Sequence, residues 1–267
     1  MKHTLFDIPI DDVSSTELDQ QLAEWLNGSA QKFITTPNPE FLLLARQDEE
    51  FRQILQSSDL SLPDGVGLRF GIAALTDGRL KNRHTGVDLV ERLAYWSYRT
   101  NRHLLLLGGA EGSAEKTKHF FEQKFPGIKI SVFNPGRIDV SDVGGHKTRP
   151  YELDECNADI MLVALGQKKQ EQFIKCTLSH LPSVRIAVGV GGAFEMIAGM
   201  KPRAPRFMSR MGLEWLWRVF IEPRRIGRIL NASFVFPLVV VSATLKQHRF
   251  WKACRNVVPE IVDQMFG

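Results

Sequence analysis

Up to about residue 200, short runs of near-continuous apolar residues alternate with stretches whose apolar positions recur every three or four residues. The runs are Lys32–Thr35, Leu104–Leu107, Ile128–Phe133, Ile160–Leu165 and Ile186–Val190, with a weaker one at Leu60–Leu62. An uninterrupted apolar run of this length fits a strand buried on both faces, as in a parallel sheet. Between the runs, Val87, Leu89, Val90, Leu93 and Ala94 fall on one helical face, as do Phe120, Phe121 and Phe125, and Phe173, Ile174 and Leu178. Strand–helix alternation predicts a doubly wound, Rossmann-like α/β fold: a parallel sheet with helices on both faces. After Gly192 the strand signals stop and the pattern is helical, broken by Pro202, Pro205, Pro223 and Pro237. The expected organisation is an α/β core over residues 1–200 and a helical appendage over 201–267.

In an open α/β sheet, ligands bind beyond the carboxyl ends of the strands, so the loops there carry the candidate chemistry. The first strand runs into TTPNPEF, where Asn38, Pro39 and Glu40 read as N-cap, N1 and N2 of a helix. Thr36 and Asn38 are equally placed to touch a ligand. LSLPDGVG holds Asp64 in good turn chemistry, either as the cap of the next helix or as a free carboxylate at a strand end. LLLLGGAEGSAEK sets Gly108, Gly109 and Gly112 before a helix. The glycines would admit a phosphate to the helix N-terminus, or simply make a tight turn; the GGxxG spacing matches a dinucleotide fingerprint only weakly. A second glycine-rich strand end, IAVGVGGAFE, carries Gly191, Gly192 and Glu195. Two such loops in one sheet favour a nucleotide or sugar nucleotide. LGQKKQEQF, with Lys168, Lys169, Gln170 and Glu171, reads as a solvated helix start or as a third ligand loop.

Charge changes the picture of the appendage. From Lys201 to Leu230 there are eight basic residues against two acids, a net +6, while the whole chain sums to +4. The remainder is therefore slightly acidic, and the basic charge is concentrated beside Trp215, Trp217 and Phe220. An uncharged run, Ile229–Leu245, follows; it holds Asn231, Ser233, Pro237, Ser242 and Thr244 and is shorter than the ~20 apolar residues of a membrane span. Arginines, interfacial aromatics and an apolar stretch fit a segment lying on an anionic membrane surface, in preference to nucleic acid. An amphipathic core helix is the plainer alternative. Three widely spaced cysteines without a CxxC pair fit neither a disulfide framework nor a zinc site, and suit a reducing cytosol. The N-terminal MKHTLFDIPIDDVSS has no apolar core, which predicts no cleaved signal peptide. There is no Walker loop, no GxSxG elbow, no HExxH and no Asp-x-Asp pair, and the seven histidines lack ligand spacing. The expectation is chemistry without a metal or a cofactor.

Taken in order, TPNPEF, LPDGVG, RHTGVDL, LLLLGG, LGQKKQEQF, GVGGAFE, RAP (Arg203–Pro205) and GLEWLWR with EPRR resemble the bacterial WecG/TagA/CpsF glycosyltransferase family. The resemblance runs from about residue 33 to 228. It implies a membrane-associated inverting enzyme that moves a sugar from a UDP-sugar to a polyprenyl-diphosphate-linked saccharide during synthesis of cell-surface polymers. By this resemblance Asp64 is the general base, and Thr36, Asn38, Arg83 and Gln170 belong to the pocket. Arg218, Arg224, Arg225 and Arg228 belong to an appendage that closes over the site and grips the lipid diphosphate. The implied location is the inner face of the cell membrane, and a homo-oligomer is compatible with the sequence. Two positions depart from the family pattern: Lys168 replaces a proline, and Glu195 replaces an aspartate.

The chemistry is coherent on its own terms. Inverting transfer needs one base to take the acceptor's hydroxyl proton, and UDP is already a good leaving group. Glycine-loop amides and a guanidinium such as that of Arg83 would stabilise the charge on the departing diphosphate. Two other readings remain at this stage: an NAD-dependent oxidoreductase and a membrane-docked nucleotide sensor. Against the first, Ile128–Phe133 ends in Asn134 where an acidic residue is expected.

Overall fold

A computed structural model describes residues 1–135, 153, 156–202, 205, 208, 214–221 and 226–266. The expected sheet is present: six strands, β3 (Lys32–Thr35), β4 (Leu60–Ser61), β5 (His103–Gly108), β6 (Lys129–Phe133), β7 (Ile160–Ala164) and β8 (Ile186–Gly189), lie in the order β4-β3-β8-β7-β5-β6. Every pairing is parallel. The uninterrupted apolar runs have the expected cause. In β5, Leu104 and Leu106 enter one apolar cluster while Leu105 and Leu107 enter another, and β7 divides its residues in the same way. Helices α1 (Ser15–Asn27), α5 (Gly86–Arg99) and α6 (Ser113–Lys124) cover one face. Helix α3 (Glu49–Gln56) and helix α7 (Lys169–Thr177) cover the other. β6 is the exception: it is an edge strand with only Ile130 fully buried, so the expectation of cover on both faces fails there.

Two strands lie outside the sequence expectation. β1 (Lys2–Leu5) and β2 (Ile8–Asp11) form an antiparallel hairpin. Its two-residue turn puts Phe6 at φ 50° and Asp7 at φ 63°, the left-handed pair that such hairpins favour and that Asn-Gly normally signals. Phe-Asp gives no such signal. The hairpin packs its Leu5, Ile8 and Ile10 with Phe41 and Leu42 of α2 (Pro39–Ala45) and with Leu68 and Ile72 of α4 (Val66–Leu75).

Beyond β8 the described chain is helical: α8 (Ala193–Ile197), α9 (Glu214–Ile221), α10 (Ile226–Leu230), a π-helical stretch Asn231–Val235, α11 (Phe236–Lys246) and α12 (Phe250–Phe266). Among the described residues no helix is long and apolar enough to cross a membrane. Helices α11 and α12 lie against α4. Phe236 packs on Gly67 and Gly71, where the α4 backbone carries no side chain to hold it off. Ala253 joins the same cluster, and buried Glu260 pairs with Arg69 and Arg79. The amphipathic-core reading thus holds for one face of the Ile229–Leu245 run. Its other face, with Phe234, Leu238, Val241 and Leu245, is exposed, as is Trp251 at 83%.

Candidate active site

A cleft of about 380 Å³ opens over the carboxyl ends of β3, β4, β7 and β8. It gathers Thr36, Asn38, Asp64, Gln170, Gly191, Gly192 and Glu195, seven of the residues singled out in the sequence, from four different strand ends.

Local chemistry explains how each is held. Thr36 is buried and its hydroxyl donates to Gly189 O at 3.4 Å. Asn38 is the N-cap of α2: its Oδ1 accepts from Phe41 N at 3.1 Å, with Pro39 at N1. The capping role and the place in the cleft therefore coexist in one side chain. Asp64 N donates to Pro37 O at 2.8 Å, which ties the β4 loop to the β3 loop. The N-cap of α4 is Gly65, at φ 95°, with no side-chain cap bond, so Asp64 stands one residue before the position the capping alternative needs.

The loop after β7 is not a solvated helix start. Gln170, Glu171 and Gln172 are all buried. Gln170 Oε1 accepts from Gly191 N at 3.0 Å, and Gln170 Nε2 donates to Glu171 Oε1 at 2.7 Å. Glu195 is 7% exposed. Its Oε1 accepts from Ala110 N at 3.2 Å, while its Oε2, beside the Cα of Gly192, has no hydrogen-bond partner. A buried carboxylate oxygen without a donor carries a substantial desolvation penalty. In a cleft wall, a ligand hydroxyl or amide is the natural source of that donor.

Three sequence candidates lie off the cleft wall. Gly108 and Gly109 have φ of 80° and 92°; a Cβ on Gly108 would lie 2.9 Å from Leu165 Cδ2, and one on Gly109 would lie 2.5 Å from Ser113 Oγ. Their glycine requirement is met by backbone conformation and close packing, and they support the Ala110 amide that holds Glu195. Arg83 lines a neighbouring cavity of about 340 Å³ with Gly65, Val66, Arg69, Lys81 and Gln264. Its loop is set by the N-terminal hairpin's continuation: Asp12 accepts from Lys81 N and from Asn82 N and Nδ2, and His84 meets Val13 O at 2.8 Å. Arg224 and Arg225 lie outside the described residues, as do Arg203, Arg206 and Arg210. Arg218 and Arg228 are described only as positions on α9 and α10.

Other cleft residues were not among the candidate pocket residues read from the sequence. Thr85 caps α5 by accepting from Asp88 N at 3.2 Å, and it lines the cleft with Gly86 and Val87. The positive end of a helix of 14 residues thereby opens onto the cleft. A side chain at Gly86 would crowd Val190 O at 3.3 Å. Glu40, Lys201, Trp217 and Ile221 complete the wall. Trp217 and Ile221 come from α9, four residues apart on one face, and Trp217 Nε1 donates to Pro202 O at 3.2 Å. The sequence had placed Trp217 in the basic aromatic segment and in the GLEWLWR piece of the resemblance, as a membrane-facing residue in place of a cleft residue. Among the described residues, no group of three or more His, Cys, Asp or Glu is placed to hold a metal ion.

A model of the glycosyl transferase WecG/TagA/CpsF family matches residues 3–250. The chain belongs to this family. It is a glycosyltransferase, and the oxidoreductase and sensor alternatives fall away. The chain is 28% identical over 229 residues to N-acetylglucosaminyldiphosphoundecaprenol N-acetyl-beta-D-mannosaminyltransferase of Bacillus subtilis (strain 168), covering 85% of this chain and 87% of that one. The protein of the same name from Bacillus spizizenii is 31% identical, covering 84% and 83%. That from Staphylococcus aureus (strain MRSA252) is 27% identical, covering 80% and 82%. In this glycosyltransferase several pieces that carry the resemblance meet in space: TPNPEF, LPDGVG, LGQKKQEQF and GVGGAFE each place residues on the cleft wall.

Proposed function

We propose that this enzyme transfers an N-acetylhexosamine, with inversion, from a UDP-sugar to a saccharide linked to polyprenyl diphosphate, in the synthesis of a bacterial surface polymer. The observation that carries the proposal is the convergence of Thr36, Asn38, Asp64, Gln170 and Glu195 on one cleft at the switch side of a parallel sheet. The relatives' names, which specify an N-acetylmannosaminyl group and an N-acetylglucosaminyl diphosphoundecaprenol acceptor, support the sugar and the lipid class.

Asp64 is the base in this reading. Its carboxylate takes the proton from the acceptor hydroxyl as that oxygen bonds to the donor's anomeric carbon. The bond from that carbon to the phosphate oxygen breaks on the opposite face, and UDP leaves with the electron pair. The N-terminus of α5, at Thr85 and Gly86, and the Lys201 ammonium supply positive potential to the departing diphosphate without a metal. Arg83 adds to this from the adjoining cavity. Glu195 Oε2 accepts from a donor hydroxyl or amide.

The acceptor is a membrane lipid, so the enzyme works at a surface as a peripheral protein on the inner face of the cell membrane. The exposed Leu238, Val241 and Leu245 of α11, with Trp251 among Lys246, Lys252 and Arg255, supply apolar contact beside positive charge. In this reading the arginines Arg218, Arg224, Arg225 and Arg228 share two roles, holding the acceptor diphosphate and docking on anionic lipid, and α9, which places Trp217 and Ile221 on the cleft, closes over the acceptor.

Turnover of a panel of UDP-sugars with a short-chain polyprenyl-diphosphate N-acetylglucosamine acceptor tests the reading. UDP-N-acetylmannosamine is expected to be used best. Asp64→Asn should keep UDP binding and lose about 10²–10⁴-fold in rate, the usual worth of a general base. Undiminished turnover in that variant would remove Asp64 from the chemistry.

A further inference from the structure

Behind the cleft wall sits a buried acid that does not touch the cleft. Glu171 has no exposed surface, and both of its carboxylate oxygens accept. Oε1 takes the Gln170 Nε2–H bond at 2.7 Å and Oε2 takes the Lys168 N–H bond at 2.8 Å. Gln170 in turn accepts at Oε1 from Gly191 N at 3.0 Å. The packing around this chain is tight: a Cβ on Gly189 would lie 2.5 Å from Gln170 Nε2 and 2.6 Å from Glu171 Oε1. Lys168 stands at φ 70°; a proline at that place could supply neither the N–H nor that φ.

We propose that Glu171 is a positioning residue, whose ionised carboxylate fixes the amide orientation of Gln170 and, through it, the Gly189–Gly191 end of β8 that floors the donor cleft; the functional consequence rests on the glycosyltransfer reading of that cleft. The argument is one of hydrogen-bond polarity. Every donor in the chain points toward Glu171, from Gly191 N–H to Gln170, from Gln170 to Glu171, and from Lys168 N–H to Glu171. An ionised carboxylate satisfies all of them, because it only accepts. A glutamine at residue 171 puts an NH₂ donor where a donor already points, so one bond of the chain must break; a protonated acid puts an O–H on one of the two accepting oxygens and weakens the bond there. If Gln170 turns over to compensate, its NH₂ faces the Gly191 N–H, and the fault moves into the cleft floor.

Burial pushes the Glu171 carboxyl up to about 7, against the downward pull of its bonds from Gln170 and Lys168. The ionisable neighbours on its own segment are Lys168, Lys169, Lys175 and Cys176; on α3, which packs against α7, they are Asp48, Glu49, Glu50 and Arg52. β7 and β8 contribute none. The Lys168 ammonium is engaged by Asp48, so it does not neutralise Glu171 directly. The lock is therefore set near neutral pH and released as the pH falls.

Nitrogen-15 NMR of the Gly191 amide and the Gln170 side-chain NH₂, followed through pH 7, reads the lock without substrate. UDP affinity by calorimetry over the same range reads its consequence, and a cooperative melting transition checks the fold of each variant. Both signals are expected to titrate together with a midpoint of about 7, and UDP affinity should fall on the acid side of it. In Glu171→Gln the titration should vanish and UDP should bind about tenfold more weakly at all pH values, the worth of one hydrogen bond in the cleft floor. In the reciprocal double variant Gln170→Glu/Glu171→Gln all three bonds are re-formed, with only the one between side chains 170 and 171 reversed, so the Gly191 signal should return to its wild-type position, though the new carboxylate will still repel UDP. Gly191 and Gln170 signals indifferent to pH and to Glu171→Gln would overturn the positioning role. Signals that titrate in a wild-type protein that fails to bind UDP would support the lock and sink the donor-site reading instead.

Discussion

Phe236→Ala is the substitution that best tests how the C-terminal helices are held. The ring is 1% exposed and lies on Gly67 and Gly71 of α4, with Phe6 of the hairpin turn edge-on at 6.2 Å and 87°. Truncating a buried phenylalanine costs about 3–5 kcal/mol, more where the site cannot collapse. Here the floor of the pocket is the backbone of Gly67 and Gly71, which has no side chain of its own to swing inward, and the T-shaped partner is lost as well, worth about 0.5–1.5 kcal/mol. A loss of about 4 kcal/mol is therefore expected, against a total of about 5–15 kcal/mol for a folded domain. Urea denaturation gives the number, and amide exchange in α4 and α11 should rise together. Gly71→Ala is the companion. Its Cβ would lie 2.9 Å from Leu5 Cδ2 and 3.2 Å from Phe236 Cζ, an overpacking worth about 1–3 kcal/mol. Combined with Phe236→Ala, that cost should shrink, because half of the clash has gone; residues in contact couple in this way. If Phe236→Ala costs less than about 1 kcal/mol, or if the two substitutions add without coupling, the helices do not dock on α4 through this ring.

Three further outcomes are expected. Turnover should persist in excess chelator if, as proposed, Lys201 and the α5 N-terminus supply the positive potential; activity lost in EDTA and restored by magnesium or manganese would refute this. Leu238→Glu should weaken association with vesicles containing anionic lipid, and salt should weaken it for the intact protein, because each basic residue near such a surface is worth about 1 kcal/mol before screening; salt-independent binding would show that charge has no part. Glu171 also makes a signed prediction for stability. Its folded value, about 7, lies above the ordinary 4.5, so its contribution is fully present below 4.5 and is lost as pH rises through about 7. The difference of about 2.5 units corresponds to roughly 3 kcal/mol at about 1.36 kcal/mol per unit, and Glu171→Gln should flatten that part of the stability curve. Stability favours the protonated acid while the lock requires the ionised one, an opposition expected where burial serves a site.

The inner parallel strands were legible in the sequence because burial on both faces leaves a local mark, an apolar run without alternation; β6, at the edge, was legible from its apolar run although that cover is missing there. The Asn38 cap was legible for a similar reason: its partner, Phe41 N, is three residues away. So was much of the cleft, since strand-end loops of a parallel sheet must converge on one edge. What the sequence could not yield depends on partners far along the chain. The β1–β2 hairpin is fixed by packing on α4, which overrides a Phe-Asp turn with no propensity for its left-handed geometry. The segment of Gln170 and Glu171 read as a solvated helix start or a ligand loop, with Gln170 placed in the pocket by resemblance alone; the burial of Glu171 comes with the approach of Gly189 and Gly191, about twenty residues on. Glu195 became a candidate hydrogen-bond acceptor only when Ala110, 85 residues away, occupied one oxygen and left the other without a donor. Arg83 was carried to the neighbouring cavity by Asp12, 70 residues before Asn82. Periodicity and capping act over a few residues and are written in the local sequence; the burial of a charge and the direction of a side chain are set by contacts that exist only once the chain has folded.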